Sequence, residues 1–374
     1  MKIVVDNKIP FIQNVFEPFA DVVYKSGDEI LHSDVCDADA LIVRTRTICN
    51  AELLSKTKVK FIASATIGFD HIDTDFCDKN NIAWTNAAGC NSLSVAQYVL
   101  AAILQIAQKN NINLSEKTIG IVGVGNVGTK VAEICRLLKM NVLLCDAPRK
   151  KNEKNISFID IEELVERSDI VTLHVPLNLC GDYKTHHLFD EKMFDKLKAK
   201  ILINTSRGEI VETNALKSAI ENKKLDFTII DVWENEPKID KKFLSLVDIA
   251  TPHIAGYSLD GKATGTTMVV RAVSEFFGLD LRNWTIESLP KPEEKITINC
   301  ENKSTLNILQ DIVKSTYDIM FDDYLLKQKP DDFEKFRSAY RVRREFAAHK
   351  IFAKNMDDEQ KKILNLLNFK VENY

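Results

Sequence analysis

One short stretch restricts the possible folds of this chain more than any other. Gly123-Val124-Gly125-Asn126-Val127-Gly128 follows the apolar run Ile119-Gly120-Ile121-Val122 and opens a helical pattern running from Val127 to Leu138. Glycines at that spacing between a strand and a helix let the chain turn tightly, let an anionic group approach the backbone, and let helix and strand touch. Those are the needs of a dinucleotide pyrophosphate held at a helix N-terminus. Asp146 closes the next apolar run, Val142-Leu143-Leu144-Cys145. A carboxylate there accepts hydrogen bonds from ribose hydroxyls and repels a 2′-phosphate, which favours NAD over NADP. Arg149, close behind, is the kind of residue that admits such a phosphate, yet Asp146 keeps NAD the expected cofactor.

A strand feeding such a turn belongs in a parallel sheet, and the rest of the chain is patterned accordingly. Short β-branched runs recur at Ile3–Val5, Asp21–Tyr24, Ala40–Val43, Phe61–Ala63 and Ile82–Trp84, separated by polar helical stretches. A second series follows the glycines: Val142–Leu144, Ile170–Leu173, Ile201–Ile203 and Phe227–Ile230. Between the two series, Ser92 to Lys109 carries Val95, Val99, Ala102, Ile103 and Ile106 at helical spacing, with Ser92 as cap. A further helical stretch, Gly261 to Phe277, adds no strand and could pack back on the first half. The expected fold is α/β, with two Rossmann-like doubly wound lobes, a cleft between them, and a small α+β C-terminal unit.

All 13 glycines lie at or before Gly278, and Leu289-Pro290-Lys291-Pro292 introduces a densely charged remainder. The predicted division is 1–91 with 258–289 as a substrate-binding lid, 92–257 as the nucleotide-binding domain, and 290–374 as a C-terminal dimerisation domain. In the last, Lys295–Ile298 and Phe369–Val371 are β-like and bracket a helical middle. A unit that small buries little by itself, which motivates docking on a second copy. The lid is expected to close over the cofactor and exclude water.

Composition narrows the class. The 374 residues are 45% hydrophobic with a formal net charge of -4, enough for several cores and without general attraction for nucleic acid. Eight cysteines are scattered with no C-x-x-C pair, so no metal site is expected and the thiols imply a reducing, cytoplasmic compartment. The chain opens directly into a strand-like run with no leader. Its longest apolar run, Tyr98 to Ala107, is interrupted by Gln105 and is too short to span a bilayer. A soluble enzyme of small molecules, with no membrane or nucleic-acid partner, is the expectation.

Three chemistry-bearing residues each close an apolar run downstream of the glycines: Arg207 in Asn204-Thr205-Ser206-Arg207-Gly208, Glu236 in Asp231-Val232-Trp233-Glu234-Asn235-Glu236-Pro237, and His253 in Thr251-Pro252-His253. A guanidinium forks around a carboxylate and polarises a C2 oxygen. An imidazole can take the C2 hydroxyl proton, and a carboxylate on its far nitrogen fixes the tautomer and raises its basicity. Gly208 lets the chain turn without obstructing the cleft. Of the other histidines, His174 reads as a satisfied wall residue, His186 and His187 as loop residues, and His71 as ambiguous beside Asp70.

Taken together, the glycine motif, Asn204–Gly208, Asp231–Pro237 and Pro252–Gly256 resemble the D-2-hydroxyacid dehydrogenase superfamily. Thr66–His71, Ala88–Asn91, His253–Lys262 and the tail resemble most closely its branch that oxidises 4-phospho-D-erythronate to 3-hydroxy-2-oxo-4-phosphooxybutanoate. The resemblance covers essentially the whole chain. It implies NAD-dependent oxidation of a phosphorylated hydroxy acid, a step in pyridoxal 5′-phosphate biosynthesis, by a cytoplasmic homodimer. It further implies catalytic roles for Arg207, Glu236 and His253. Gly123, Gly125, Asn126, Val127, Gly128, Asp146, Thr205, Ser206, Asp231 and Gly256 would lie at NAD, and Thr45, Thr66 and Tyr257 at substrate. Thr45 stands where that branch commonly has serine, keeping the hydroxyl but restricting its rotamer. A phosphorylated substrate needs a second anion site, for which Arg44 or Arg46 is the candidate, solvated surface arginines being the alternative. Other readings are a relative such as phosphoglycerate dehydrogenase, and an NAD-sensing regulator built on the same fold.

Overall fold

The computed structural model describes residues 1–154, 156–292 and 295–373 and divides into two compact units, one formed by Met1–Asn91 with Ser258–Pro290 and one by Ser92–Tyr257 with the stretch from Lys291 on.

The first unit is a parallel sheet of β1 (Lys2–Asp6), β2 (Asp21–Lys25), β3 (Ala40–Val43), β4 (Phe61–Ser64) and β5 (Ala83–Asn86), in the order β2-β1-β3-β4-β5. Every residue of β3 and β4 is buried, as expected of strands covered on both faces. The Leu259–Phe277 helix, predicted to return to this half, does so. Val269, Val270 and Val273 pack with Ile3, Val5 and Ile42, and Phe276 stacks on Phe61 at 4.5 Å. Ser258 caps its start by accepting the Gly261 N–H at 2.9 Å, and Gly278 ends it in the left-handed region at φ 70°.

The second unit carries a six-stranded parallel sheet of β6 (Thr118–Val122), β7 (Asn141–Cys145), β8 (Ile170–Leu173), β9 (Ile201–Asn204), β10 (Phe227–Ile230) and β11 (Ile249–Ala250). Its order is β11-β10-β9-β8-β6-β7, so the strand order reverses at β6, between β7 on one side and β8 on the other. The register matters for function. Cys145 pairs with Val122, Val122 with Leu173, Leu173 with Asn204, Asn204 with Ile230 and Ile230 with Ala250. The carboxyl ends of six strands are therefore level, and every loop leaving them starts from one edge, where open α/β sheets bind ligands. The Ser92–Asn110 helix lies under this sheet, with Tyr98 and Leu104 completely buried. Ser92 proves to be its first helical residue and not the cap.

The segment after Lys291 forms a small parallel sheet, β12 (Ile296–Asn299), β13 (Lys350–Lys354) and β14 (Lys370–Asn373), with β13 in the middle. The middle strand is absent from the sequence expectation. This segment shares the second unit's core: Ile308, Ile312 and Tyr317 join one apolar cluster with residues of the Ser92–Asn110 helix, and Leu326 and Phe333 join another with Trp233 and Phe243. Two polar ties add to it. Asp323, in the Ile319–Gln328 helix, accepts the Ala250 N–H of β11 at 2.8 Å. The buried Arg343 donates to the carbonyls of Ser94 and Ala255 at 2.5 and 3.3 Å.

Candidate active site

The level strand ends deliver the predicted side chains in sequence order. After β6, Gly123 adopts φ 86°, and a side chain on it would come within 2.6 Å of the His174 carbonyl oxygen, at the end of β8. The glycine turn thus sits where the strand order reverses. A Cβ on Gly128 would lie 2.0 Å from the Gly123 oxygen, so the first turn of the Asn126–Leu137 helix presses directly on the loop. Gly125 differs from both: a Cβ there would have nothing within 4 Å. An open approach to backbone N–H groups at a helix N-terminus fits a pyrophosphate, and the residues present suit a dinucleotide.

Asp146, at the end of β7, faces this turn. Its carboxylate accepts the N–H of Val124 at 2.9 Å and that of Arg149 at 3.1 Å, capping the Ala147–Asn152 helix. Arg149, the residue that complicated the choice of nucleotide, is committed elsewhere. Its Nε and Nη2 donate to Glu153 at 2.7 and 2.8 Å, its Nη1 donates to the Val124 carbonyl, and its guanidinium lies 5.2 Å from the Phe158 ring centre. A fork engaged on both sides is poorly placed to take a 2′-phosphate, and the carboxylate decides in favour of NAD.

After β9, Asn204 organises the Thr205–Arg207 loop. Its amide oxygen accepts the N–H and hydroxyl of Ser206 at 3.1 and 2.8 Å, and its amide nitrogen donates to the Arg207 carbonyl at 2.9 Å. Asn204 was read only as part of the motif, and a strand ending in asparagine before a functional loop is the signal that pointed to it. Gly208 serves a different purpose from the one expected. A Cβ on it would stand 2.0 Å from the Trp233 carbonyl carbon and 2.3 Å from the Glu234 nitrogen. It is glycine because two loops, one bearing Arg207 and the other Glu236, cross there in backbone contact.

His253 and Glu236 meet: Nδ1 of the imidazole lies 2.8 Å from Oε2 of the carboxylate. The other carboxylate oxygen accepts the Trp233 N–H at 2.9 Å, so both glutamate oxygens are held. Burial pushes the Glu236 carboxyl up, but the His253 charge and hydrogen bond, helped by Arg337, outweigh it and hold the group below the ordinary glutamate range. Glu236 is therefore charged at neutral pH, and His253 Nδ1 is the donor in the pair. His253 is a non-glycine residue at φ 55°, and its loop is fastened from below. Asp231 does the fastening: its carboxylate accepts from the Thr251 hydroxyl at 2.6 Å, the Ile254 N–H at 2.7 Å and the Ala255 N–H at 3.0 Å. Predicted as a cofactor contact, Asp231 is buried, and those three groups occupy its carboxylate. Burial pushes its pKa up against these interactions.

His174 bridges the hydroxyls of Thr172 and Thr205 at 2.9 and 3.3 Å, and burial pushes its imidazole down to about 3. It is a neutral hydrogen-bonding wall residue, as read from its apolar run. Gly256 and Tyr257 follow in the loop that leaves Ala255, both half-buried.

The remaining candidates belong to the first unit. Arg44 ends β3, where its Nε donates to the fully buried Asp6 at 3.0 Å. Thr45 and Arg46 follow in an exposed turn. Thr66 shares a 2.8 Å hydrogen bond with Ser64. His71 is buried, with Nε2 3.2 Å from the Ser64 hydroxyl. One residue near the His253–Glu236 pair was missed altogether. Arg337, from the short Phe333–Ser338 helix, places Nη1 3.9 Å from Glu236 Oε2. It lies in a run of charges that reads as a solvated surface.

Residues 97–255 match the family described as D-isomer specific 2-hydroxyacid dehydrogenase, NAD binding domain, and residues 289–367 match a domain of unknown function. The erythronate-4-phosphate dehydrogenase of Bacteroides fragilis is 47% identical over 355 residues, covering 94% of this chain and 99% of that protein. That of Proteus mirabilis is 40% identical over 373 residues, 99% of each chain. Among solved structures, the D-lactate dehydrogenase of Aquifex aeolicus, complexed with NAD and lactic acid, superposes with a TM-score of 0.61 at 27% identity, covering 76% of this chain and 97% of that one.

Proposed function

The chain belongs to the erythronate-4-phosphate dehydrogenases within the D-isomer-specific 2-hydroxyacid dehydrogenases, and we infer that it oxidises 4-phospho-D-erythronate to 3-hydroxy-2-oxo-4-phosphooxybutanoate with NAD, a step in pyridoxal 5′-phosphate biosynthesis. The observation that carries the catalytic reading is the 2.8 Å pairing of His253 Nδ1 with Glu236, on the same sheet edge as the glycine turn and Asp146. When bound there, NAD supplies the hydride acceptor. With Nδ1 protonated and engaged, the imidazole presents Nε2 as an acceptor for the C2 hydroxyl proton, and Glu236 stabilises the imidazolium that forms. Arg207 holds the substrate carboxylate and polarises the C2 oxygen.

Gly123, Gly125, Asn126, Val127 and Gly128 receive the pyrophosphate and Asp146 the adenosine ribose, with Thr205, Ser206 and Gly256 lining the nicotinamide end. Asp231 acts there by setting the path of the His253 loop. Thr45, Thr66 and Tyr257 contact substrate, and the phosphate falls to Arg44 or Arg46. The ion pair of Arg44 with buried Asp6 fixes its orientation, while Arg46 stands in the exposed turn.

The protein is read as a cytoplasmic homodimer. Among the described residues no helix is long and apolar enough to cross a membrane, and all eight cysteines are free thiols. Tyr324 and Val342 in the C-terminal segment are 60% and 71% exposed, apolar surface that a second copy would cover. Purified protein should reduce NAD with 4-phospho-D-erythronate faster than with 3-phosphoglycerate or unphosphorylated erythronate, monitored by NADH absorbance. A preference for 3-phosphoglycerate would reassign the substrate, and no turnover of any hydroxy acid would favour a regulatory role. Mass in solution reads the assembly.

A further inference from the structure

The Phe333–Ser338 helix reaches the candidate active site from the C-terminal segment, through one residue. Arg337 is well buried, its side chain 17% exposed, yet it is weakly partnered for a guanidinium. Its Nη1 is 3.9 Å from Glu236 Oε2 and 3.6 Å from Glu334 Oε2, both beyond hydrogen-bond length. Its Nε is buried with no hydrogen-bond partner among the described residues. The guanidinium stands 5.9 Å from the centre of the Tyr257 ring, which is packed edge-on by Tyr340 from just beyond the same helix. A surface ion pair does not look like this. Burying a cation without full hydrogen bonding is expensive, and what offsets it here is the negative charge of Glu236 and Glu334.

We propose that Arg337 is a positioning residue for the His253–Glu236 pair, acting as a fixed positive charge on the carboxylate oxygen that takes His253 Nδ1. The inference rests on the acid–base reading of His253. A carboxylate hydrogen-bonded to an imidazole raises its basicity. A cation at the same oxygen opposes that effect. The other groups facing the pair are Asp231, whose buried carboxylate lies under the His253 loop, Glu334 beside Arg337, and the phenols of Tyr257 and Tyr340. Of the charged groups among these, Arg337 alone is positive. The matched domain of unknown function thereby gains a role in the chemistry, in addition to any role in assembly.

The test compares Arg337→Gln, Arg337→Lys and His253→Ala with the wild-type full chain. Two quantities are read: the acidic limb of the pH profile of kcat/KM, and the titration of the His253 imidazole by NMR in the NAD-free protein. In Arg337→Gln both should move to higher pH by on the order of one unit, as removal of one charge a few ångströms away requires. NAD affinity should be unchanged. Arg337→Lys, which keeps the charge, should restore most of the shift. If Arg337→Gln does not fold, Arg337→Met keeps the stem packed against Tyr257 and carries the same readout. A limb and a titration that coincide with the wild type overturn the assignment of Arg337 alone. Turnover by His253→Ala overturns the acid–base reading beneath it.

Discussion

A side chain on Gly208 would place its first carbon 2.0 Å from the carbonyl carbon of Trp233, so the loop bearing Arg207 and the loop bearing Glu236 touch backbone to backbone. Both loops leave adjacent strands at the same level, and the crossing fixes their separation. Gly208→Ala must push them apart. Unfolding measurements should show a loss of about 1–3 kcal/mol, as for other overpacked interiors. The kcat should fall with it, because the displaced loops carry Arg207 and Glu236, the residues proposed to hold the substrate carboxylate and to partner the base. Full activity at wild-type stability would mean the crossing does not position the site.

His253→Ala removes the proposed proton acceptor and nothing in the glycine turn. The expected result is a kcat lower by about 10²- to 10⁴-fold, the usual weight of a positioned general base. Affinity for NAD, read by quenching of tryptophan fluorescence, should be close to normal. A loss of NAD binding equal to the loss of rate would assign His253 to the cofactor instead.

Asp146 caps the Ala147–Asn152 helix and is proposed to face the ribose, and Asp146→Asn tests the second role against the first. Asparagine caps the helix as well through its single acceptor oxygen but loses the bond from the Val124 N–H, so the melting temperature should fall only modestly. The charge that repels a 2′-phosphate is gone. The ratio of kcat/KM for NAD over NADP should fall by roughly tenfold or more, the value of a hydrogen bond to a charged group. An unchanged ratio would place nucleotide discrimination elsewhere.

Glu236 links stability to pH with a definite sign. Its folded carboxyl titrates below the ordinary value of 4.5, so it stabilises the fold above that pH, and the contribution is lost as pH falls from there through the lower folded value. Glu236→Gln never has this contribution. Melting temperatures of variant and wild type should differ at neutral pH and converge in acid. Parallel curves would show that the carboxylate charge does not support the native state.

What could be read from the sequence was what local pattern dictates. The apolar, β-branched runs marked every strand of the two α/β sheets except the two-residue β11, since a strand buried on two faces has little other composition to choose. The glycine spacing located the nucleotide turn, because backbone approach has a residue-level signature. β13 escaped notice because Lys350–Lys354 is short, half-exposed and set among charges, with its neighbour β12 far upstream in the chain. Arg337 escaped for a related reason: nothing in the charged run around it distinguishes the arginine that turns inward from a neighbour such as Lys335 that faces water. Asp231 is expected at the cofactor, and its carboxylate turns inward to its own loop. A strand-end carboxylate can face out to a ligand or in to its own turn, and only the folded N–H groups of Ile254 and Ala255 reveal which.

The hydrogen bond from Ala250 to Asp323 bears on how the protein is made. β11 is two residues long and lies at the edge of its sheet, and the group that completes it is supplied by a helix synthesised much later. While a ribosome is still building the chain, the nucleotide-binding half carries an unfinished rim and an uncovered apolar flank that the final stretch of polypeptide has yet to close. Emergence of the Ile319–Gln328 helix is then the event that closes the rim, and a product truncated before it would leave that flank exposed to aggregation.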